Sequence, residues 1–207
     1  MSTRTVAVVS AGLSTPSSTR LLADRLTAAT VAALSARGVT ATVEVVELRE
    51  HARDLADHLL TGFPDEALQA AVDTVTGADA VIAVTPIFSA SYSGLFKTFF
   101  DVLDKDALVG TPVLMGATAG TARHSLALEH ALRPLFAYLR ATAVPTAVFA
   151  ASEDWAGSGE GAGGALADRV ERAAGELAEL VAARPPATPV DPFADPTTSF
   201  EDLLRGT

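Results

Sequence analysis

The stretch TPIFSASYSGLFKTFFDVL, residues 85–103, follows directly on a short hydrophobic run, AVIAV at residues 80–84. The run predicts a buried strand, and the spacing of the large apolar residues after Gly94 predicts a helix. Between strand and helix lie small and hydroxyl-bearing residues that contribute little to a core. A loop of this composition at the end of a buried strand is typical of a ligand-binding segment.

Runs rich in valine and alanine predict five strands, at residues 5–10, 39–48, 79–85, 111–118 and 144–152. Amphipathic segments between them predict helices at about 18–36, 65–76, 94–104, 122–140 and 162–183. Because the strands are continuous apolar runs that alternate with helices, we expect parallel strands with helices on both faces. The predicted fold class is therefore α/β, a three-layer sandwich around a five-stranded parallel sheet.

The chain of 207 residues fits one domain, which we assign to residues 1–184. A Pro-rich tail follows at residues 185–207. Two interpretations of the tail stay open: a disordered spacer, or an arm that docks on a neighbouring subunit through Phe193, Phe200, Leu203 and Leu204. The Gly-rich segment at 157–164 is interpreted as a flexible lead into the last helix, the alternative being a nucleotide-binding loop.

Composition excludes several functional classes. The absence of cysteine excludes disulfides, iron–sulfur clusters, thiolate zinc sites and cysteine nucleophiles. A net charge of −10, from 15 basic and 25 acidic residues, argues against nucleic acid or an anionic membrane as a partner. No uncharged apolar run is long enough for a membrane span, and the first strand pattern follows a single arginine without a signal-peptide pattern, so we expect a cytoplasmic protein.

The segment SAGLSTPSSTR, residues 10–20, links the first predicted strand to the first predicted helix and carries four serines and two threonines. The helix start adds unpaired N–H groups and a partial positive charge, and Arg20 adds a cation, so the loop suits a phosphate dianion. An N-cap would explain one of these hydroxyls but not six. Because dinucleotide and P-loop signatures are missing, the loop favours a mononucleotide, of which FMN is the familiar case in sheets of order 2-1-3-4-5.

Two further loops have features suited to a flat ligand. Pro86, Ile87 and Phe88 supply an apolar wall, and residues 89–94 turn tightly enough to present N–H groups to the edge of an isoalloxazine ring. Core packing is the alternative for Phe88. Small residues in GATAGTARH, residues 116–124, allow close backbone approach, the alternative being a simple turn capped by Thr121. In a doubly wound sheet, such loops meet where the strand order reverses.

Two segments, TPIFSASYSGLFKTFFD and, downstream, ATAGTARHSLALEHALRPLFAYLRA, closely resemble the NAD(P)H-dependent FMN reductases that serve two-component flavin monooxygenases. The resemblance covers about residues 4–155, and its first and last parts also resemble an actinobacterial branch of these reductases. It implies a flavodoxin-like fold with strand order 2-1-3-4-5. Phe88 departs from the usual tyrosine and Ala119 from a common glycine.

The resemblance also implies where FMN binds. The phosphate-loop pattern falls on Ser17, Thr19 and Arg20, with Ser10 at the strand end, and the other two patterns fall on the loops after the third and fourth strands. The predicted cofactor-binding residues are Ser10, Ser17, Ser18, Thr19, Pro86, Ile87, Phe88, Ser89, Thr118, Ala119, Gly120 and Thr121.

The function implied is hydride transfer from NADPH or NADH to FMN, followed by delivery of reduced FMN to a partner monooxygenase. Such chemistry needs no protein nucleophile, so no catalytic residue is assigned. The family further implies a homodimer or homotetramer, with His130 at a helix position used in subunit contacts; the alternative for His130 is an ordinary surface or packing residue. No metal site is predicted, because His51 and His58 lack the i, i+4 spacing of metalloprotease motifs and fit a solvated helix face better.

Two other functions stay open on the same fold. One is a quinone or azo-compound reductase that retains its FMN. The other is a flavodoxin-like electron carrier or non-enzymatic flavin-binding module. A choice between NADPH and NADH does not follow from any motif, since Arg20 and Arg123 are the only candidates for binding a 2′-phosphate.

Overall fold

The computed structural model describes residues 3–155 and 162–185. Within them the strands are β1 Thr3–Ser10, β2 Thr40–Glu47, β3 Ala80–Phe88, β4 Ser91–Tyr92, β5 Pro112–Ala119, β6 Thr142–Ala143 and β7 Val148–Ala151. The α-helices are α1 Ser18–Ser35, α2 Ala52–Thr61, α3 Glu66–Thr76, α4 Gly94–Asp101, α5 Arg133–Tyr138, α6 Ser152–Trp155 and α7 Ala162–Ala183. Short 3-10 turns lie at Leu48–His51 and Ala122–His124, and a π turn at Leu128–Leu132. No helix in these ranges is both long enough and apolar enough to cross a membrane.

Two segments that the sequence analysis interpreted, the lead at 157–164 and the tail at 185–207, fall largely outside the described residues. The flexible lead at 157–164 is described only from residue 162, where α7 begins. Both interpretations of the tail concern residues beyond 185. The division into a domain at 1–184 and a tail therefore stays a prediction.

The strands form one sheet in the order β2-β1-β3-β5, with β6 and β7 both pairing with the far edge of β5. All these pairs are parallel, and only β4 is antiparallel, as the second arm of a hairpin with β3. The predicted order 2-1-3-4-5 matches this sheet when the short β4 is left out: β5 is then the fourth strand, and β6 and β7 together take the place of the fifth. The α/β prediction is confirmed, although the sheet has more than five strands.

The predicted strand at 144–152 is wrong in its first half. Pro145 has no N–H to give to a strand ladder, and Thr146 directs its N–H to the Glu176 carboxylate at 2.7 Å. The chain therefore leaves the sheet after β6 and rejoins it further along β5 as β7.

The predicted continuous helix at 122–140 is also wrong. Pro134 lacks an N–H, and in a regular helix its ring would collide with the carbonyl of His130. The backbone instead widens into the π turn at Leu128–Leu132 before α5 begins. Such π turns are rare in proteins as a whole, but those that occur are often found at functional sites.

Burial on the two faces of the sheet produces the predicted three layers. Val6 and Val8 of β1 pack with α1 and α7 on one face, while Ala7 and Val9 pack with α3, α4 and the segment around α5 on the other. All four side chains are at most 1% exposed. Because both faces are covered at the centre of the sheet, β3 and β5 are apolar and buried along almost their whole length, whereas the edge strand β2 is largely exposed.

A cluster of aromatic rings holds α4 and the β4 hairpin in place. Phe96 is fully buried, with ring centroids 4.7 Å from Phe100, 5.9 Å from Tyr92 and 6.3 Å from Phe136. Tilted and edge-on pairs at these distances stabilise beyond the area that they bury. The loop between β3 and α4 is thus tied to the core at its base.

We expect Phe96→Ala to lower the free energy of unfolding by about 3–5 kcal/mol, because it removes a fully buried ring and leaves a cavity. Urea denaturation followed by circular dichroism measures this change. Phe63→Ala is the matched control: Phe63 is 80% exposed, and the same substitution there should change stability by less than about 0.5 kcal/mol. Equal effects of the two substitutions would contradict the packing described for Phe96.

Candidate functional site

The carboxyl ends of β1, β3 and β5 lie side by side at one edge of the sheet. Ser10 pairs in register with Val84, and Pro86 with Thr118, so the three predicted loops start from neighbouring strand ends. Inside this edge the hydroxyls of Thr19 and Thr118 form a buried hydrogen bond of 2.8 Å. The start of α1 is thereby joined to the end of β5, across 99 residues of chain.

The first loop ends in a well-formed helix cap. Ser17 is the N-cap of α1, and its Oγ accepts a hydrogen bond from the Arg20 N–H at 3.2 Å. Gly12 makes room for this cap, since a Cβ at that position would lie 2.1 Å from the Ser17 Oγ. Ser18 is exposed at the first turn of the helix. The cap leaves other N–H groups of the first turn for an anion.

Ser10, at the end of β1, is fully buried, and its Oγ has no hydrogen-bond partner among the described residues. Leaving a buried hydroxyl unpaired costs about 1–3 kcal/mol. A hydrogen bond from this hydroxyl to a bound group would remove that cost. Gly12 and Ser10 together fit the predicted phosphate site: one opens space for the cap, and the other supplies an unused hydroxyl.

The second loop is a two-residue hairpin turn between β3 and β4. Ser89 and Ala90 both have a positive φ, of 48° and 70°, a backbone conformation that residues other than glycine rarely adopt. Hairpin turns of this shape normally carry Asn-Gly or Gly-Gly. Two residues in this conformation store strain, and such strain is concentrated at functional sites.

Phe88, just before this turn, is 47% exposed. Core packing, the alternative interpretation of its role, is therefore wrong. The neighbouring Pro86 and Ile87 are buried, so Phe88 is the exposed member of the three residues predicted to form the apolar wall. A large apolar ring left exposed at the end of a buried strand is suited to stacking against a planar ligand.

Thr85 and Ser93 fix the base of the hairpin, and sequence reasoning missed both. The buried hydroxyl of Thr85 accepts the Ser93 N–H at 3.1 Å, and the Ser93 Oγ caps α4 by accepting from the Phe96 N–H at 3.2 Å. The sequence does contain a signal for this pair: a threonine inside an apolar strand is followed eight residues later by a serine at the start of a helix.

The third loop is shorter than predicted. Thr118 and Ala119 belong to β5, and Thr118 is buried with its hydroxyl bonded to Thr19. Gly120 is exposed, and Thr121 caps the short turn that follows by accepting from the Arg123 N–H at 3.4 Å. The structure thus brings all twelve predicted residues to this edge, but assigns Thr19 and Thr118 to a contact with each other.

Arg20 is not the free cation that the sequence indicated. Its Nε donates to Asp24 at 2.7 Å and one terminal nitrogen donates to Glu47 at 2.5 Å. The hydrogen bonds to Asp24 and then to Glu47 raise the pKa of the Arg20 guanidinium above its ordinary value. Two carboxylates already balance its charge.

The other singled-out residues form no additional site. In the described part of the chain, no group of three or more His, Asp or Glu side chains could hold a metal ion. His130 lies exposed on the π turn, and Arg123 is exposed beside Thr121. The interface role implied for His130 stays a prediction.

Comparison with known proteins shows which family the chain resembles. The family model for NADPH-dependent FMN reductase matches residues 4–156. An FMN reductase (NADPH) of Pseudomonas aeruginosa is 38% identical over 150 residues, which are 72% of this chain and 78% of that protein. The NADH-dependent FMN reductase SfnE of Pseudomonas putida is 38% identical over 151 residues, 73% of this chain and 78% of its own.

A solved structure is similar over nearly the whole fold. The X-ray structure of an oxidoreductase from Corynebacterium diphtheriae superposes with a TM-score of 0.85 at 49% identity, covering 89% of this chain and 100% of that one. Together with the strand order, this similarity confirms the flavodoxin-like fold.

We expect Ala90→Gly to raise the free energy of unfolding by about 1 kcal/mol, because glycine adopts the left-handed conformation of this turn without strain. Thermal and urea unfolding measure the change. The same substitution at Ala28, exposed in the middle of α1, should have the opposite sign and lower stability by about 1 kcal/mol. A destabilised Ala90→Gly variant would contradict the strained turn.

Proposed function

The chain belongs to the NADPH-dependent FMN reductase family, and from this premise we propose that it delivers reduced FMN to a separate flavin-dependent monooxygenase. The protein is an NAD(P)H-dependent FMN reductase, an oxidoreductase that uses FMN with NADPH or NADH. Delivery is supported by the relatives' names, in which FMN is the molecule reduced. A reductase whose flavin is a substrate has to release it after each turnover.

The observation that carries the proposed flavin site is the start of three loops at neighbouring strand ends, with the first and third loops joined by the Thr19–Thr118 hydrogen bond. We propose that Ser17, Ser18 and the first N–H groups of α1 bind the phosphate, with Ser10 below them. Phe88, supported by Pro86 and Ile87, forms the wall for the ring. We propose that N–H groups of the turn at Ser89 and of the third loop, Ala119 to Thr121, bind its polar edge.

In this proposal the flavin supplies the redox chemistry, and the protein residues supply position. The exposed ring of Phe88 holds one face of a planar ligand, so that the other face is open to a second ring. Holding two reactants in contact replaces a collision in solution with an oriented pair, which is a large part of the rate gain in such reactions. No side chain has to give or take a proton for this task.

We also propose a cytoplasmic homodimer or homotetramer. Large apolar residues of α4, the π turn and α5, such as Phe99, Leu132 and Leu135, are buried within the chain itself. Tyr138, in contrast, is 78% exposed, and Leu126 is 64% exposed. Leu126 precedes the π turn and Tyr138 ends α5, and we propose that these exposed side chains take part in the contact.

The test of the function follows NADPH and NADH absorbance at 340 nm with the purified protein, with and without added FMN. We expect a colourless protein that oxidises nicotinamide only when FMN is supplied. Anaerobic turnover followed by ultrafiltration should then give reduced FMN in the filtrate. A yellow protein that needs a quinone, or one that binds FMN without oxidising nicotinamide, would instead support a quinone reductase or a flavin-binding module.

We expect Phe88→Ala to weaken FMN binding by about tenfold, because stacking on an aromatic ring contributes about 1–3 kcal/mol. Since Phe88 is half exposed, unfolding stability should change by less than about 1 kcal/mol. Quenching of flavin fluorescence measures the affinity.

Phe63→Ala is the control for this prediction as well. It removes an exposed phenylalanine outside the three loops and should leave FMN affinity unchanged. If Phe88→Ala and Phe63→Ala bind FMN equally well, the wall assigned to Phe88 is wrong.

A further inference from the structure

Four charged side chains form a network of ion pairs beside the first loop. Arg20 donates to Asp24 and to Glu47, and the Nε of Arg49 lies 3.9 Å from the other oxygen of Glu47. Arg49 in turn donates to the Ser14 carbonyl at 3.3 Å and to the Thr15 hydroxyl. One carboxylate, that of Glu47, is thus shared by the two arginines next to the proposed phosphate site.

The network lies on the side of the loop away from the proposed ring site. Glu47 is the last residue of β2 and pairs in register with Ser10 of β1. β2 borders β1 on one side, whereas β3 and β5 continue the sheet on the other. The bond to Glu47 therefore draws the Arg20 guanidinium towards β2 and away from the strands that carry Phe88 and Thr118.

The charges of the network cancel, with two arginines against two carboxylates. Glu47 dominates the placement of Arg20, since its side chain is 11% exposed and fixed at a strand end. The hydrogen bond to Asp24 contributes most to the raised pKa of Arg20. Asp24 lies on the same helix as Arg20, however, and its side chain is 52% exposed, so solvent screens this pair. A phosphate on this loop meets hydroxyls and helix N–H groups, and no unpaired arginine from this network.

We propose that Glu47 keeps FMN exchangeable by holding Arg20 in an ion pair outside the phosphate site. The inference rests on the proposed function and identifies a residue that sets its flavin affinity. An arginine bonded to a phosphate forms strong, charge-assisted hydrogen bonds that slow release. Withholding that arginine leaves a site that binds FMN and releases it after reduction.

The test is Glu47→Gln, with affinities for FMN and riboflavin measured by fluorescence quenching and calorimetry. The amide keeps the shape of the side chain but no longer holds the guanidinium as an ion pair. We expect FMN to bind roughly five- to tenfold more tightly, as for one additional charge-assisted hydrogen bond at a partly exposed site. Riboflavin, which lacks the phosphate, should bind as to the wild type, and added salt should reduce the gain.

Two matched variants separate this cause from a general effect of charge. Glu44→Gln removes the same charge from the same strand at an exposed position, where the carboxylate accepts from the Thr74 hydroxyl at 3.3 Å. It should alter FMN affinity by less than about twofold, since exposed charges at a distance are screened. In an Arg20→Gln background, Glu47→Gln should likewise have less than about a twofold effect, because the arginine that it releases is gone.

Each outcome bears on the inference. Tighter FMN binding that depends on Arg20 and spares riboflavin supports it. Weaker or unchanged FMN binding by Glu47→Gln overturns it, as does a gain that persists without Arg20 or that extends to riboflavin. A wild-type protein that binds neither flavin overturns the proposed function as well, whereas a wild type that binds FMN and a Glu47→Gln variant that binds it no better overturn the inference alone.

Discussion

Parallel pairing of β1 with β2 on one side and β3 on the other is the constraint on which the rest of the structure depends. Parallel strands end at the same edge of the sheet, so the loops that follow β1, β3 and β5 are neighbours whatever their separation in sequence. The Thr19–Thr118 hydrogen bond is possible only because of this arrangement. The same pairing brings the end of β2 beside the first loop, and with it Glu47.

Burial of both faces of the sheet moves polar chemistry to this edge. The strands carry valine, alanine and leucine through their centres, and the hydroxyls of Ser10, Thr85 and Thr118 occur at their carboxyl ends. Two costs are concentrated there: an unpaired buried hydroxyl at Ser10 and a turn of two non-glycine residues with positive φ. The buried aromatic cluster around Phe96 offsets such costs by tying the hairpin to the core.

Much of the fold followed from local patterns, and the failures have local causes too. Apolar runs and helix-end signals predicted the central strands and most helices, because these depend on residues near in sequence. The strand order was implied instead by the resemblance to the FMN reductases, since it depends on pairing between distant segments. Pro134 and Pro145 mark the places where the predicted helix at 122–140 and the predicted strand at 144–152 fail. In both cases the proline, which lacks an N–H, was visible in the sequence. The prediction followed the long helical or strand pattern around it instead.

For the site, the sequence by itself determined which residue types gather at the carboxyl edge: hydroxyls and a helix start after β1, an apolar ring after β3, and small residues after β5. Composition also determined that cysteine chemistry is absent. Only the tertiary structure decided which of these groups are already engaged, since Thr19 bonds to Thr118 and Arg20 to Glu47 across 27 residues. The reason is physical: a hydrogen bond depends on distance and direction between atoms, and those are set by the packing of strands that sequence spacing does not encode.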